Sequence, residues 1–187
     1  MTNALESLIK DFSQDIGNKM GKMANSFDEP KKSGLVDLQV NGYRGINFSD
    51  ISLTRDDFAQ ACLGVFEAGT TAFLPTIITS AAEVYEHNLP IIAAAVDREE
   101  FRGRLLGIHI EGPFISAEAG ARGAHRPELT RKPDVDFLDK LIDLAKGKVR
   151  LLTISAELEG ADTLARHARD RGITVSLGHQ MATDADL

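Results

Sequence analysis

Cysteine is almost missing from this chain: Cys62 is the only one in 187 residues, and it falls within a helical pattern. A single thiol excludes a disulfide framework and a cysteine-built zinc knot, and Cys62 is expected to pack as a small buried hydrophobe. An excess of basic residues is missing too. With 21 Lys and Arg against 28 Asp and Glu, the formal charge is −7. Nucleic-acid and membrane-surface binders want a cationic face, so no nucleic-acid and no membrane partner is expected. An anionic small molecule remains possible, because a few local cations and backbone amides can hold a phosphate. The longest apolar stretch, Ile91 to Val96 with its Leu89-Pro90 lead, is far too short to cross a bilayer. Glu6, Lys10 and Asp11 interrupt the opening residues, leaving no secretory h-region, and a reducing, cytoplasmic setting is expected. Neither a G-x-G-x-x-G nor a Walker-type loop occurs, which weakens a nucleotide-binding reading.

What the chain does have is 43% hydrophobic residues, enough to bury one sizeable core. Residues 1–33 read as an N-terminal helical segment and linker. Leu5, Leu8, Ile9, Phe12, Ile16, Met20 and Met23 recur at helical spacing, and Pro30 sits in a polar stretch. Residues 34–187 alternate instead. Strands are expected at Leu35–Val40, Thr71–Ile78, Leu105–Ile110, Val149–Ile154 and Ile173–Leu177. Helices are expected at Thr54–Ala68, Ala81–Val96, Asp136–Lys146 and Ala161–Arg171, with Gly69, Gly147 and Gly172 as stops. Pro75 should mark irregular pairing, and Pro90 should kink or divide its helix. Strands that are continuous apolar runs, alternating with helices, give a parallel sheet covered by helices. The fold class is α/β, of the (β/α)8 TIM-barrel type, as an incomplete barrel of about five strands.

In a parallel barrel, chemistry collects where strands end. Here the strands finish in Gln39-x-Asn41, Pro75-Thr76, Glu111-Gly112-Pro113, Glu157 and Gly178-His179. A carboxylate and an imidazole at two strand ends are a donor pair for a divalent metal, so Glu111 and His179 are the candidate ligands. His109 shares parity with Glu111 and should face the same interior. Packing as a hydrogen-bonded core histidine explains it equally well. His125, in a loop beside Arg122 and Arg126, could be solvated or could contact a polar ligand. His87 and His167 lie on helices and receive no chemistry.

These segments, GLVDLQVNGYRGINF, GTTAFLPTIIT, LLGIHIEGPFIS, GAH and SLGHQMAT, resemble in content and order the N-acetylglucosamine-6-phosphate deacetylases of the amidohydrolase superfamily. The resemblance runs from about Gly34 to Thr183. It implies a metal-dependent barrel enzyme that converts N-acetylglucosamine 6-phosphate to glucosamine 6-phosphate and acetate, and that is a homodimer at full length. It places the metal ligands on Glu111 and His179 and gives His125 a substrate contact. Gln39 and Asn41, standing where many amidohydrolases carry His-x-His, become substrate-side residues with one metal, zinc or another transition metal such as iron. It also implies a third ligand and a general-base aspartate beyond Leu187, so no catalytic base is identified and the chain as given is expected to be inactive. Three features depart from the family pattern or have no reading: the helical start replaces a β-rich segment, the chain stops early, and Gln180 stands in GHQMAT. Two other readings stay open, a different amidohydrolase reaction and a non-catalytic partial barrel that binds sugar phosphate or a partner chain.

Overall fold

The computed structural model describes residues 34–186, so the expected N-terminal helix and linker lie outside the described residues. Five parallel strands form one sheet in sequence order: β1 (Leu35–Val40), β4 (Thr70–Ile78), β5 (Ile108–Glu111), β6 (Val149–Ile154) and β7 (Thr174–Leu177). Helices α1 (Arg55–Glu67), α2 (Ala82–Val96), α3 (Val135–Leu144) and α4 (Ala161–Asp170) connect them. The sheet curls into half a barrel. The expected β1 and β6 agree residue for residue, and the other three parallel strands keep their places with ends shifted by up to three residues.

Local chemistry explains the helix ends. Thr54 caps α1 by accepting from the Asp57 N–H at 3.1 Å, and Asp134 caps α3 by accepting from Phe137 N–H at 3.0 Å. Chain direction then changes at Gly69, Gly147 and Gly172, all with positive φ.

Three expectations need correction. Of the kink or division expected at Pro90, the division does not occur: α2 runs unbroken from Ala82 to Val96. Leu89, Ile92 and Ala93 beside it are fully buried, and that packing outweighs the roughly 3 kcal/mol an interior proline costs a helix. The third parallel strand starts late, at Ile108, because Gly107 takes a φ of 134° and leaves Leu105 only a single bridge to Phe73. A short antiparallel hairpin of β2 (Gly42–Tyr43) and β3 (Ile46–Asn47) follows β1, turning through Arg44 and Gly45, both at positive φ. Pro75 behaves as expected. It pairs with Val40 just where the β1–β4 register shifts.

Side chains alternate across each strand, so the two faces of the sheet differ. Toward the helices, Ile77, Ile108, Ile110, Leu152 and Ile154 pack with Phe58, Leu89, Leu138, Leu141 and Leu164 as a continuous apolar core. The inner face is polar. His109 Nδ1 lies 3.2 Å from Thr76 Oγ1, and its Nε2 lies 2.8 Å from Thr153 Oγ1. Thr76 Oγ1–H is directed at the Leu74 carbonyl, so His109 Nδ1–H donates to Thr76, and the other ring nitrogen shares a hydrogen bond with the Thr153 hydroxyl. Burial pushes the His109 pKa below the ordinary value, while the Glu111 charge and the Leu38 backbone oppose this. At the sheet margins, among the described residues, Leu35, Val36 and Leu38 on β1 and Leu177 on β7 are exposed.

Candidate metal centre

Glu111 ends β5, on the same face as His109, and its side chain is only 8% exposed. The chain leaves it sharply. Gly112 has a φ of 82°, and a Cβ there would lie 2.2 Å from Thr79 Oγ1, so only glycine fits.

His179 follows β7 after Gly178, whose N–H continues the sheet by donating to the Ile154 carbonyl at 3.1 Å. At His179 the backbone enters the left-handed region with a φ of 54°. The ring then points at β5: Nε2 lies 3.0 Å from Glu111 Oε1, and Nδ1 lies 3.1 Å from the Ala121 carbonyl oxygen.

His125 completes the group. It is buried, its Nε2 lies 3.9 Å from Glu111 Oε1, and its ring meets that of His179 edge-on with centroids 4.3 Å apart. Its Nδ1 is buried with no hydrogen-bond partner among the described residues. Burial, then the neighbouring His179, pushes its pKa below the usual imidazole range, with Glu111 pulling the other way.

One ligand atom from each of Glu111, His125 and His179 falls within 4.8 Å of the others. Tetrahedral bonds of about 2.1 Å place ligand atoms about 3.3–3.5 Å apart, and the two separations from Glu111 Oε1, 3.0 and 3.9 Å, bracket that value. The donor chemistry also fits. A carbonyl oxygen only accepts, so the contact with Ala121 makes Nδ1 the protonated nitrogen of His179. Nε2 then faces the Glu111 carboxylate, where either a proton on Nε2 or a cation between the two atoms satisfies both groups. One carboxylate and two imidazoles suit zinc, iron or a similar divalent ion.

The strand-end residues do not all converge. Gln39 and Asn41 are exposed and line a cavity of about 260 Å³ together with Val65, Ala68 and Thr70. None of the three clustered residues lines that cavity. Glu157 instead accepts from the Met181 N–H at 2.8 Å. Gln180, silent in the sequence, accepts from the Ala156 N–H at 3.2 Å. His87 contacts the Leu53 carbonyl and His167 pairs with Asp139, both away from the cluster. Sequence reasoning passed over Ser116 and Ser155, which are buried beside the site. A serine after an apolar run looks like a strand end meeting solvent.

No family model matches the chain. Curated relatives do. The chain is 37% identical over 152 residues to the N-acetylglucosamine-6-phosphate deacetylase of Danio rerio, covering 80% of this chain and 37% of that one. It is 38% identical over 154 residues to the human enzyme of the same name, covering 80% and 36%. A solved structure of a variant N-acetyl-D-glucosamine-6-phosphate deacetylase from Mycobacterium smegmatis, in complex with N-acetyl-D-glucosamine-6-phosphate, superposes with a TM-score of 0.72 at 29% identity. That match covers 84% of this chain and 42% of the other. The chain thus spans little more than a third of the length of the curated relatives it matches. Over the four-fifths of its length that correspond, in sequence and in fold, it resembles the N-acetylglucosamine-6-phosphate deacetylases.

Proposed function

We propose that these residues form part of a metal-dependent amidohydrolase that cleaves the acetamide of N-acetylglucosamine 6-phosphate, giving glucosamine 6-phosphate and acetate. The observation that carries this is the convergence of Glu111, His125 and His179 at the ends of separate segments of a parallel half-barrel. A divalent ion held there polarises an amide carbonyl and lowers the pKa of water from ~16 toward ~7. Glu111 and the Nε2 of His179 are the groups that would hold it, and the Ala121 carbonyl fixes the His179 ring for that purpose. His125 lies close enough to be a third ligand, but in this reading its ring faces the substrate's carbonyl oxygen instead, where a well-placed donor stabilises developing negative charge. Gln39 and Asn41 would take the substrate side of the rim.

Zinc is the proposed ion, with iron as the competitor for the same donors. A cytoplasmic setting and a homodimer of the full-length enzyme belong to the same proposal. No aspartate belongs to the described cluster, so the 187 residues by themselves are proposed to bind the ion weakly and to turn over no substrate.

The test is reconstitution of the 187-residue chain with zinc, followed by elemental analysis of the chain and of its Glu111→Gln variant. Sub-stoichiometric zinc in the parent, in keeping with weak binding, and loss of most of that zinc in the variant are expected. Equal occupancy in both would remove Glu111 from the site. Acetate release from N-acetylglucosamine 6-phosphate by the chain, abolished by a chelator, would overturn the expectation of inactivity.

A further inference from the structure

We infer that Ser155 is a positioning residue for His179, acting through the His179 carbonyl; this rests on the proposed metal role of His179. Ser155 is fully buried one residue beyond β6 and touches both segments that build the site. Its N–H donates to the Phe114 carbonyl at 3.0 Å, fixing the loop that leaves Glu111. Its hydroxyl donates to the His179 carbonyl at 2.7 Å and accepts from the Ser116 N–H at 2.7 Å. The same Ser116 N–H reaches the His179 carbonyl at 3.2 Å, so the three groups close a small ring of hydrogen bonds.

His179 needs such a hold. Its left-handed backbone is one that few non-glycine residues adopt. Regular β6–β7 pairing stops at Ile154 and Leu177, with Gly178 N–H giving the last backbone link to β6. Past that point, side chains carry the connection. Ser155 holds residue 179, Ala156 N–H donates to the Gln180 side chain, and the Glu157 side chain accepts from Met181 N–H. Of these three links only the first is made by a fully buried side chain, and only it grips the ligand residue itself. Removing the hydroxyl strips His179 of its shorter bond and lets its backbone relax, which swings Nε2 away from Glu111.

Cobalt(II) titration of the 187-residue chain, followed by visible absorption, tests this. Ser155→Ala is expected to weaken cobalt binding by about 10- to 100-fold, the range seen when groups that orient a ligand are lost, and to alter the d–d bands. Ser155→Thr, which keeps the hydroxyl, should restore both. Ser155→Cys, a weaker donor of similar size, should fall between them and serves if the alanine variant does not fold. A serine that only stabilises the fold would lower the urea midpoint while leaving cobalt affinity and spectrum unchanged, and that result overturns the assignment. A second readout does not depend on metal. In the ion-free chain, the His179 ring nitrogen resonances should show one fixed tautomer, which Ser155→Ala converts to an average. Unchanged ring resonances in that variant would sink the positioning role, even if the parent chain bound no cobalt. An absence of cobalt binding in the parent would by itself refute the metal reading instead.

Discussion

Replacing Gly112 by alanine should be among the most damaging single-methyl additions in this chain, and the cost can be split into two parts. The first is conformational: φ at this position is 82°, and an L-residue held in the left-handed region loses about 1–2 kcal/mol. The second is steric: the new Cβ would sit 2.2 Å from Thr79 Oγ1, inside the 3.0 Å limit that real Cβ atoms respect. Overpacking of that kind costs about 1–3 kcal/mol, so the sum is about 2–5 kcal/mol. Thr79 offers a way to separate the parts. Its Oγ1 makes one long hydrogen bond, 3.4 Å to the Glu111 carbonyl, so Thr79→Ala alone should cost no more than about 1–2 kcal/mol. In the double variant the clash is gone and the backbone strain remains. The two substitutions should therefore couple favourably by about 1–3 kcal/mol. Urea unfolding of the ion-free parent, both single variants and the double variant at pH 7.5 measures every corner of this cycle. Strict additivity, or a Gly112→Ala variant within 0.5 kcal/mol or so of the parent, a span typical of harmless surface changes, would show that the turn after Glu111 is not the tight fit described.

Stability should also depend on pH through His109. Its folded pKa lies below the ordinary value of 6.5, so its contribution is complete above that value and is lost as pH falls through the lower, folded one. The urea midpoint should drop as pH falls below about 6.5; His109→Gln should flatten part of that drop, and an identical profile would show that His109 is not responsible. Cys62, buried, has its thiol pushed up to about 12. It should react with a thiol reagent at pH 8 only after urea is added, and rapid labelling of the native chain would place it at the surface.

The parts of the fold legible in the sequence were those with strong local causes. Val149–Ile154 is a mainly apolar run whose Leu152 and Ile154 pack toward the helices, and Thr54 announces a helix start by its own chemistry, whereas the helix expected from Asp136 in fact begins at Val135, capped by Asp134. The hairpin after β1 was not legible, since two strands of two residues each carry no period. Glu111 and His179 could be proposed as partners because each follows an apolar run. The burial of His125 could not, because it depends on a loop folding back over a residue 54 positions later, and loop composition alone reads as solvated. Ser155 had no signal at all. Its importance lies in what its hydroxyl spans, which only the folded chain displays.

The row formed by Thr76, His109 and Thr153 has a consequence for how such a chain can change over time. Barrel interiors are usually filled by branched aliphatic side chains, and a Val–Leu–Val row here would keep the space filled without needing three matched hydrogen-bonding partners. Yet Glu111 stands one alternation above His109 on the same strand face, and Thr153 pairs with it across to β6. An oily row at that depth would surround a carboxylate with groups unable to hydrogen-bond, and would favour its protonated form over one that holds a cation. Under the proposed metal role of Glu111, heat resistance and ion retention would therefore pull these three positions in opposite directions. A lineage adapting to warmer surroundings has its free choices on the other side of the sheet, among Ile77, Ile108 and Leu152, where a better fit against the helices leaves the surroundings of Glu111 untouched.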